Sequence, residues 1–369
     1  MKDNNSGLSN HTKKKHMKML RDYRVETLRP NPELRSLFLE LTVACNERCR
    51  HCGSKCGDVK EENALTLDEW KGVLDQVRHD FDVSKFRLCV TGGEPLLYKE
   101  FFELMAYADS LGFKWGMTSN GTLITKEVAS KLRKTKMQTI SISVDGLRET
   151  HDWFRESLGS YEKTLQGIKN LLDENFFRHV QITTVVHHRN FHELSDMYQI
   201  FSQLGVHSWR VINIEPIGRA KDNPELMLTD DELRGLIYFI EDHRYKGEMP
   251  VTYGCSHYLG LEHEREVRKW YFLCNAGVYT ASVQHNGNIT ACLDIERRPE
   301  LVEGNIREDN FKTVWETGFE KYRTDFRKSG KCKECKQYEF CAGDSFHTWN
   351  FDTMQPNLCM YEVLENWDK

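Results

Sequence analysis

A repeating unit of strand, turn and helix fills the first two thirds of the chain and restricts its fold more than any other feature. From Leu37 onward, a short apolar or alternating stretch is followed by a turn containing Gly or Asn and then by a stretch with helical spacing. Six such units, each roughly thirty residues long, predict a parallel sheet with right-handed crossovers, open or closing toward a barrel. The predicted strands are residues 37–43, 86–90, 113–117, 139–144, 180–186 and 209–214.

Polar motifs follow four of these predicted strands at the point where each strand ends. Residues 45–52 (CNERCRHC) follow the first strand, residues 91–95 (TGGEP) the second, residues 118–121 (TSNG) the third and residues 145–146 (DG) the fourth. In parallel sheets, functional residues lie beyond the carboxyl ends of the strands. We therefore expect the four motifs to converge on one face.

Charge and hydropathy exclude several classes of protein. The chain has no apolar run long enough to span a bilayer and no hydrophobic signal peptide, so we expect a cytoplasmic protein without a membrane partner. Its 51 Lys and Arg against 56 Asp and Glu give a net charge of -5, which argues against a nucleic-acid partner bound through overall positive charge. In a reducing compartment, its 12 cysteines are expected to be metal ligands or catalytic thiols rather than disulfides.

Composition divides the chain into four segments. Residues 1–36 are polar and basic and are expected to form a solvated tail or a short helix. Residues 37–221 hold the repeating units, and residues 222–270 have the charged, helical texture of a connector. Residues 271–369 are rich in cysteine and turn signals, and a segment with so little periodic apolar sequence is expected to need metal to hold it.

Three thiolates come from a single loop, at Cys45, Cys49 and Cys52. A 4Fe-4S cluster held by only three protein ligands keeps one iron open for a substrate or cofactor. Zinc competes for the same loop, because His51 would supply a fourth ligand, although adjacent residues would be strained as ligands. The spacing of this loop alone leaves both centres open.

Taken together with the turns that follow it, the loop resembles the radical SAM superfamily, whose hallmark is this cysteine spacing after the first strand with an aromatic residue, here His51, before the third cysteine. The resemblance covers roughly residues 37–220. It implies an α/β fold with a partial (β/α)6 barrel of the TIM type, a 4Fe-4S cluster on Cys45, Cys49 and Cys52, and bound S-adenosylmethionine (SAM). The implied SAM contacts are Gly92, Gly93 and Glu94 to the amino group, Ser119 and Asn120 to the ribose, Ser143 and Asp145 in a fourth-strand motif, and Arg155 to the carboxylate.

The same resemblance implies the chemistry. An electron passed through the cluster cleaves SAM reductively to methionine and a 5'-deoxyadenosyl radical, which abstracts a hydrogen atom from a substrate. The barrel then has to align the target C–H bond and exclude water. A reductant such as flavodoxin or ferredoxin is the implied electron donor.

The C-terminal cysteines supply a second donor set. Four thiolates at Cys332, Cys335, Cys341 and Cys359 are enough to close a 4Fe-4S cluster, and zinc fits the count too. This spacing, together with Cys274 and Cys292 upstream, resembles the SPASM extension of a subset of radical SAM enzymes. The resemblance implies one or two auxiliary clusters, the outer one on the four clustered thiolates and the inner one on Cys274 and Cys292.

One position departs from the SPASM pattern, which expects a cysteine where this chain has Ser345. The inner cluster is then short of ligands, and Cys255 is expected to supply one. The remaining iron would be open to substrate, or bound by Asp344, Ser345 or a histidine. Equally, the inner cluster would be absent, with Cys274 and Cys292 merely buried.

Two further residues are candidates for catalysis. Cys255, if it is not a ligand, would hand a hydrogen atom to a product radical, as an epimerase requires. Asp294 lies near the place where relatives carry an acid that removes a proton from the substrate, although it is shifted by one residue. Both assignments rest on the resemblance.

The expected function is therefore that of a radical SAM oxidoreductase acting as a peptide maturase. The expected substrate is a ribosomally made peptide that is oxidised, cross-linked or epimerised, presented by a separate leader-binding protein or bound directly, since 36 residues are too few for a leader-binding domain. A radical dehydrogenase or epimerase of a small molecule, such as a sugar or aminoglycoside, is the first alternative. A non-catalytic iron-sulfur binding or electron-transfer protein is the second.

Overall fold

The computed structural model describes residues 8–58, 60–247, 249–254 and 257–365, which contain one ten-stranded sheet and one two-stranded sheet. Cys255 lies outside the described residues. The strands are β1 (Ser36–Glu40), β2 (Arg87–Thr91), β3 (Trp115–Ser119), β4 (Thr139–Ser143), β5 (His179–Val186), β6 (Ser208–Asn213), β7 (Val251–Tyr253), β8 (Thr280–Val283), β9 (Asn288–Thr290), β10 (Gly304–Asn305), β11 (Trp349–Asn350) and β12 (Gln355–Pro356).

The six predicted strands are all present as β1 to β6, lying in chain order with each strand parallel to its neighbours. Their apolar side chains fill the core: Leu37 and Leu39 of β1 and Ile142 of β4 are completely buried. Helices alternate with these strands along the chain, and the residues of β4 alternate between buried and partly exposed, so one face of the strand packs into the core. The predicted α/β fold is confirmed.

Two more parallel strands extend this sheet at its edges. β7 comes from the segment expected to be a helical connector and pairs with β6. β8 comes from the Cys-rich segment and pairs with β1, and β9 and β10 follow it in antiparallel order. The Cys-rich segment is therefore hydrogen-bonded to the strand that precedes the first cysteine loop.

Side-chain caps fix where several helices begin. Thr66 before the second helix and Thr229 before the eighth form capping boxes with Glu69 and Glu232, which satisfy free backbone N–H groups. In the part of the chain that is described, no helix has the length and apolar character needed to cross a membrane. The helices are α1 (Asn10–Asp22), α2 (Leu67–Asp80), α3 (Phe101–Ser110), α4 (Lys126–Lys134), α5 (Arg148–Arg155), α6 (Ser160–Asp173), α7 (Leu194–Leu204), α8 (Asp230–His243), α9 (Gly260–Val267), α10 (Phe311–Thr317), α11 (Glu320–Arg323), α12 (Tyr338–Cys341) and α13 (Met360–Glu365).

The N-terminal extension forms a helix that is packed rather than solvated. Met17 of α1 is buried in a cluster with Tyr271 and Phe272. After α1, a π-helical turn places Arg24 in the interior, where its guanidinium donates to the main-chain carbonyls of Phe340 at 3.0 Å and Glu339 at 2.7 Å. Arg24 of the basic N-terminal segment therefore stabilises the contact with the Cys-rich segment.

Candidate functional site

The loop after β1 gathers the first three cysteines at the carboxyl end of the sheet. Cys49 is buried, and Cys45 and Cys52 are partly buried. Burial raises the pKa of Cys49 to about 12, and the nearby Cys52 and Cys45 add to the shift. Burial likewise raises the pKa of Cys45 to about 11. The three thiols therefore lie within electrostatic range of one another in a largely dry loop.

The donor set of this loop fits a cluster. Within the described ranges, no three His, Cys, Asp or Glu side chains form a group that could hold a single metal ion. The ligands of a 4Fe-4S cluster each bind a different iron atom, so they need not converge on one point. A fourth thiol, Cys56, is buried one turn later, and its hydrogen bond to Cys52 is the main cause that lowers the pKa of Cys52 to about 6.

Two glycines allow the end of β2 to pack against the start of this loop. A Cβ atom on Gly92 would lie 2.5 Å from the carbonyl oxygen of Thr42, and one on Gly93 would lie 2.1 Å from that of Ala44. The N–H groups of Gly93 and Glu94 donate to these same two carbonyls, at 2.7 and 2.9 Å. Side chains at either position would push the second motif away from the cysteine loop.

Glu94, Ser119 and Asn120 form a buried polar cluster across β2 and β3. The Ser119 hydroxyl lies 3.0 Å from both carboxylate oxygens of Glu94, and the Asn120 N–H donates to Glu94 at 2.9 Å. Burial raises the pKa of Glu94 to about 7 despite these bonds. The Asn120 side chain donates at 2.9 Å to Asn46, within the cysteine loop. The second and third motifs therefore converge on the loop, as predicted.

Arg155, at the end of α5, joins the fourth motif to the same loop. Its guanidinium pairs with Asp145 just beyond β4 and lies 3.5 Å from Glu47 Oε2 and 3.4 Å from Cys49 Sγ. Burial lowers the pKa of Arg155, but the charge of Asp145 outweighs it and the net shift is upward. Ser143 is the last residue of β4, beside Thr183 of β5. Within the protein, Arg155 is thus already paired with two carboxylates.

The turn after β6 also holds the cysteine loop through contacts with its main-chain carbonyls. Arg219 donates from Nε to the carbonyl of Cys49 at 2.7 Å and from Nη1 to the carbonyl of Cys56 at 3.1 Å. Gly218 has a φ of +55°, and a Cβ atom there would lie 2.2 Å from the carbonyl oxygen of Cys52. The sequence analysis did not predict this role of Arg219; the Gly218-Arg219 pair in the turn after the sixth strand was the available signal.

The four C-terminal thiols lie together around shared neighbours. The Tyr361 hydroxyl is within electrostatic range of Cys335 and Cys359, and the Lys331 ammonium is within range of Cys359 and Cys332. Cys341 lies within range of Cys359 and accepts a bond at 3.1 Å from the main-chain N–H of Asp344. Backbone donors to sulfur are a common feature of cluster ligation. These residues fit the predicted outer centre.

The two upstream thiols share the Tyr322 phenol as a neighbour. Cys274 lines a cavity of about 20 Å³ together with Cys341 and Tyr322. Burial raises the pKa of Tyr322, and the nearby Cys292 and Cys274 add to the shift, so both thiols lie near this phenol. Asp294 is exposed, with Oδ2 3.8 Å from Cys292 Sγ. These positions bring Cys274 and Cys292 together near one phenol, while Cys255 lies outside the described residues.

A buried imidazole connects the barrel to the Cys-rich segment. His257 Nε2 lies 2.6 Å from Glu215 Oε1 beyond β6, and Nδ1 lies 2.7 Å from Asp344 Oδ2. Burial alone would lower the pKa of His257, but the charges of Asp344 and Glu215 outweigh it and raise this pKa to about 10. Asp344 also accepts the Tyr258 N–H at 2.9 Å, so both its oxygens are engaged. No pattern in the sequence singles out His257, so the sequence alone did not predict this bridge.

Comparison with known proteins identifies the family. Residues 39–201 match the model of the radical SAM superfamily, and residues 274–337 match that of SPASM, an iron-sulfur cluster-binding domain. An AdoMet-dependent heme synthase of Methanosarcina barkeri is 31% identical over 326 residues, which cover 84% of this chain and 90% of the relative. The chain belongs to the radical SAM superfamily. As a radical SAM enzyme with a SPASM domain, it binds SAM, a 4Fe-4S cluster and auxiliary iron-sulfur clusters, as its motifs predicted.

Other relatives carry names that indicate different activities. Mycofactocin maturase MftC of Mycobacterium tuberculosis is 28% identical over 312 residues, 83% of this chain and 77% of MftC. Streptococcus suis SuiB bound to S-adenosylmethionine has a TM-score of 0.70 at 17% identity, covering 98% of this chain and 84% of SuiB. The enzyme anSMEcpe with bound AdoMet has a TM-score of 0.71 at 20% identity, covering 89% of this chain and 94% of its own. These two structures confirm the partial-barrel fold.

Proposed function

We propose that Cys45, Cys49 and Cys52 hold the 4Fe-4S cluster and that the polar residues beyond β2, β3 and β4 bind SAM. One observation carries this assignment: Arg155 lies 3.4 Å from Cys49 Sγ and pairs with Asp145. A single buried cation thus joins the cysteine loop to the fourth motif, and the other motifs surround it. Although Arg155 already pairs with Asp145 and Glu47, its Nε is buried without a hydrogen-bond partner within the described residues, and we assign this donor to the SAM carboxylate.

The remaining roles follow from the positions of the side chains. Bound SAM, after reduction by one electron, supplies the radical that removes a hydrogen atom from the substrate. Glu94 accepts N–H donors and is suited to the SAM amino group, with Gly92 and Gly93 holding its backbone against the loop. Ser119 and Asn120 are the proposed contacts to the ribose, and Ser143 and Asp145 are the proposed contacts from the fourth motif. Arg219 holds the cysteine loop in place through its bonds to the carbonyls of Cys49 and Cys56.

Cleavage of SAM tests this assignment directly. Anaerobically reconstituted protein, incubated with SAM and dithionite, should form 5'-deoxyadenosine, and Cys49→Ala should abolish it. Cys89→Ala is the matched control, because Cys89 lies within β2, away from the loop, and should leave the product unchanged. Absence of 5'-deoxyadenosine from the iron-loaded wild type would refute the proposal.

We propose that Cys332, Cys335, Cys341 and Cys359 hold the outer auxiliary cluster. For the inner cluster, Cys274 and Cys292 are the proposed ligands, with Cys255 as a third or as a hydrogen-atom donor to the product radical. Asp344 is a poor candidate for the vacant position because both its oxygens are engaged. Iron and sulfide analysis separates the cases, since about twelve iron atoms per chain correspond to three 4Fe-4S clusters and about eight to two.

A ribosomally made peptide is the proposed substrate, to be oxidised, cross-linked or epimerised. The likeness to mycofactocin maturase supports this, as does the shared fold with SuiB, which has also been solved bound to its precursor peptide SuiA. Asp294 is exposed beside Cys292 and is the proposed acceptor of a substrate proton. A separate leader-binding protein and a flavodoxin or ferredoxin are the proposed partners, in the cytoplasm.

An iron porphyrin is the second candidate substrate. The observation that favours it is the 31% identity to a heme synthase over 90% of that relative's length. A shorter match of 166 residues, also at 31% identity, is to an Fe-coproporphyrin III synthase of the same organism. These names leave the choice of substrate to experiment.

Parallel assays with the two kinds of substrate distinguish the peptide proposal from the iron-porphyrin proposal. The reconstituted enzyme, SAM and dithionite are incubated with short peptides encoded beside the gene, or with Fe-coproporphyrin III, and the products are analysed by mass spectrometry. The peptide proposal predicts a mass change in one peptide, together with 5'-deoxyadenosine above the substrate-free level. Conversion of Fe-coproporphyrin III with every peptide unchanged would contradict it.

A further inference from the structure

Exposed lysines lie in the loop that carries Cys332 and Cys335 and on helix α1, which contacts α12. Lys14 and Lys18 of α1 are exposed, as are Lys333 and Lys336 in the loop that carries Cys332 and Cys335. Within the described residues, none of these four lysines forms a salt bridge. Lys328, also exposed, lies 5.7 Å from the centre of the Tyr338 ring. We call these five lysines the lysine surface.

Helical geometry turns one flank of α1 toward the loop that carries Cys332 and Cys335. Residues 14, 18 and 21 are spaced by four and three positions, so they share one stripe of the helix. Arg21 of this stripe reaches Glu339 of α12, with Nη2 to Oε2 at 3.4 Å. Lys14 and Lys18 therefore lie on the side of α1 that faces the loop, and the two sets of lysines belong to one surface.

The charge of this surface is opposite to that of the whole chain. The full sequence carries a net charge of -5, whereas here five lysines face few free acids. Asp22 and Glu339 both pair with Arg21, and Glu362 pairs with Lys331, which leaves Glu334 and Glu365 as the exposed acids near Cys335 within the described residues. A local positive surface on an acidic protein steers an acidic partner to one place.

Cys335 indicates which kind of acidic partner the surface fits. Among the free cysteines of the described residues, Cys335 is the one that is exposed. The other proposed outer ligands, Cys332, Cys341 and Cys359, are only partly accessible. An exposed cluster ligand in a loop that also carries Lys333 and Lys336 lets an electron carrier approach closely, and binding an acidic peptide would not require that exposure.

We propose that the lysine surface docks an acidic one-electron carrier protein of the flavodoxin class. On docking, one electron leaves the reduced carrier, which is oxidised by one electron, and the enzyme is reduced by one. This inference rests on the proposed assignment of Cys332, Cys335, Cys341 and Cys359 to the outer cluster. It names the docking site of the reductant, which the proposed function leaves open.

Direct binding is the first test. Titration of the reconstituted protein with oxidised flavodoxin should show an affinity that weakens as salt is raised from about 50 mM to about 300 mM. The triple variant K14E/K18E/K336E should bind at least about tenfold more weakly. A matched reversal on the barrel exterior, K126E/K134E/K169E, changes three exposed lysines and the same net charge, and should bind as the wild type does.

Electron delivery is the second test and needs no substrate. Formation of 5'-deoxyadenosine driven by reduced flavodoxin should fall at least about fivefold in K14E/K18E/K336E. With dithionite, which needs no docking surface, the rate should stay at the wild-type level, and K14R/K18R/K336R should restore the flavodoxin-driven rate. Loss of the dithionite-driven reaction in the wild type would instead contradict the proposed function, and the binding titration would still decide the docking.

Three outcomes would overturn the docking proposal. The first is equal flavodoxin affinity in the wild type and K14E/K18E/K336E. The second is equal weakening by K126E/K134E/K169E, which would mean that overall charge governs binding. The third is a surface that binds a polyglutamate peptide but not flavodoxin.

Discussion

His257 and Asp344, which are 87 positions apart in the chain, meet at 2.7 Å between Nδ1 and Oδ2. The other ring nitrogen faces Glu215 at 2.6 Å, just beyond β6 of the barrel. All three side chains are buried. One imidazole therefore links the barrel to the Cys-rich segment through two carboxylates whose charges would otherwise repel each other.

Removing this imidazole should destabilise the protein strongly. His257→Leu leaves Glu215 and Asp344 buried without their shared cation, and breaking a buried pair in this way costs about 3–5 kcal/mol of unfolding free energy. Anaerobic denaturant titration measures the loss. His188→Leu is the control, since His188 is 59% exposed where it pairs with Glu232 and should cost at most about 1 kcal/mol. Equal losses in the two variants would contradict the bridge.

Arg219 should control how firmly the first cluster is held. Its two hydrogen bonds, to the carbonyls of Cys49 and Cys56, depend on the fixed geometry of a guanidinium. Arg219→Lys should therefore weaken retention of the cluster nearly as much as Arg219→Ala does. The expected result is faster loss of iron to a chelator, which is monitored as a decrease in the iron-sulfur absorbance. Arg48→Ala is the control, because Arg48 pairs with Asp58, as Arg219 does, but is 66% exposed. Chelation at the wild-type rate in Arg219→Ala would refute this role.

The barrel and its motifs were predictable because both depend on short sequence segments. Each buried parallel strand reads as an apolar run, and the polar motif follows directly where the strand ends. Glu94, Ser119 and Asn120 could thus be placed near the cysteine loop before any contact was known, and the resemblance to the radical SAM superfamily added Arg155. Only their partners needed the structure: Arg155 is shared between Asp145 and Glu47, and nothing in the spacing indicates that.

The contacts between distant segments could not be predicted. β8 contains Thr280 and Ser282 among its four residues, too short and too polar to read as a core strand, yet it pairs with β1. The bridge of Glu215, His257 and Asp344 draws on three remote segments, and a lone histidine carries no pattern of its own. Such pairings depend on loop closure and packing, which leave no periodic signal in one sequence.

Gly93→Ala should displace the second motif from the cysteine loop. The added methyl group would lie 2.1 Å from the Ala44 carbonyl oxygen, so the backbone has to move. We expect weaker SAM binding by at least about tenfold, because positioning errors near 1 Å cost this much or more. Gly72→Ala in α2 is the control: no atom lies within 4 Å of its added Cβ, and helix propensity favours alanine. Equilibrium dialysis with labelled SAM compares the two variants.

Ser345→Cys tests whether the inner cluster has an iron open to substrate. Ser345 is buried at the position where the SPASM pattern places a cysteine, and a thiolate there would occupy such an iron. Turnover of the substrate identified by mass spectrometry should fall, while substrate-free formation of 5'-deoxyadenosine should not change. Ser345→Ala supplies no ligand and should keep turnover. Unchanged turnover in Ser345→Cys would exclude substrate binding at this iron.

The pKa of Glu94 predicts a pH dependence of stability. Burial raises this pKa from 4.5 to about 7, so as pH rises the unfolded chain releases the Glu94 proton before the folded protein does. Stability is therefore lost between about pH 4.5 and pH 7, by roughly 3 kcal/mol in all. Glu94→Gln carries no ionisable group and should not show this loss.

Thermal melting under anaerobic conditions at several pH values between 5 and 8 measures the difference. The melting temperature of Glu94→Gln should rise relative to the wild type as pH increases through this window, because only the wild type has to bury a charge there. Glu127→Gln on α4 is the control: its hydrogen bond with Lys131 holds the pKa of Glu127 below its ordinary value, so Glu127 is ionised in both states across the window. Its profile should run parallel to the wild type. Parallel profiles for Glu94→Gln and the wild type would mean that the bonds from Ser119 and Asn120 fully compensate the buried charge.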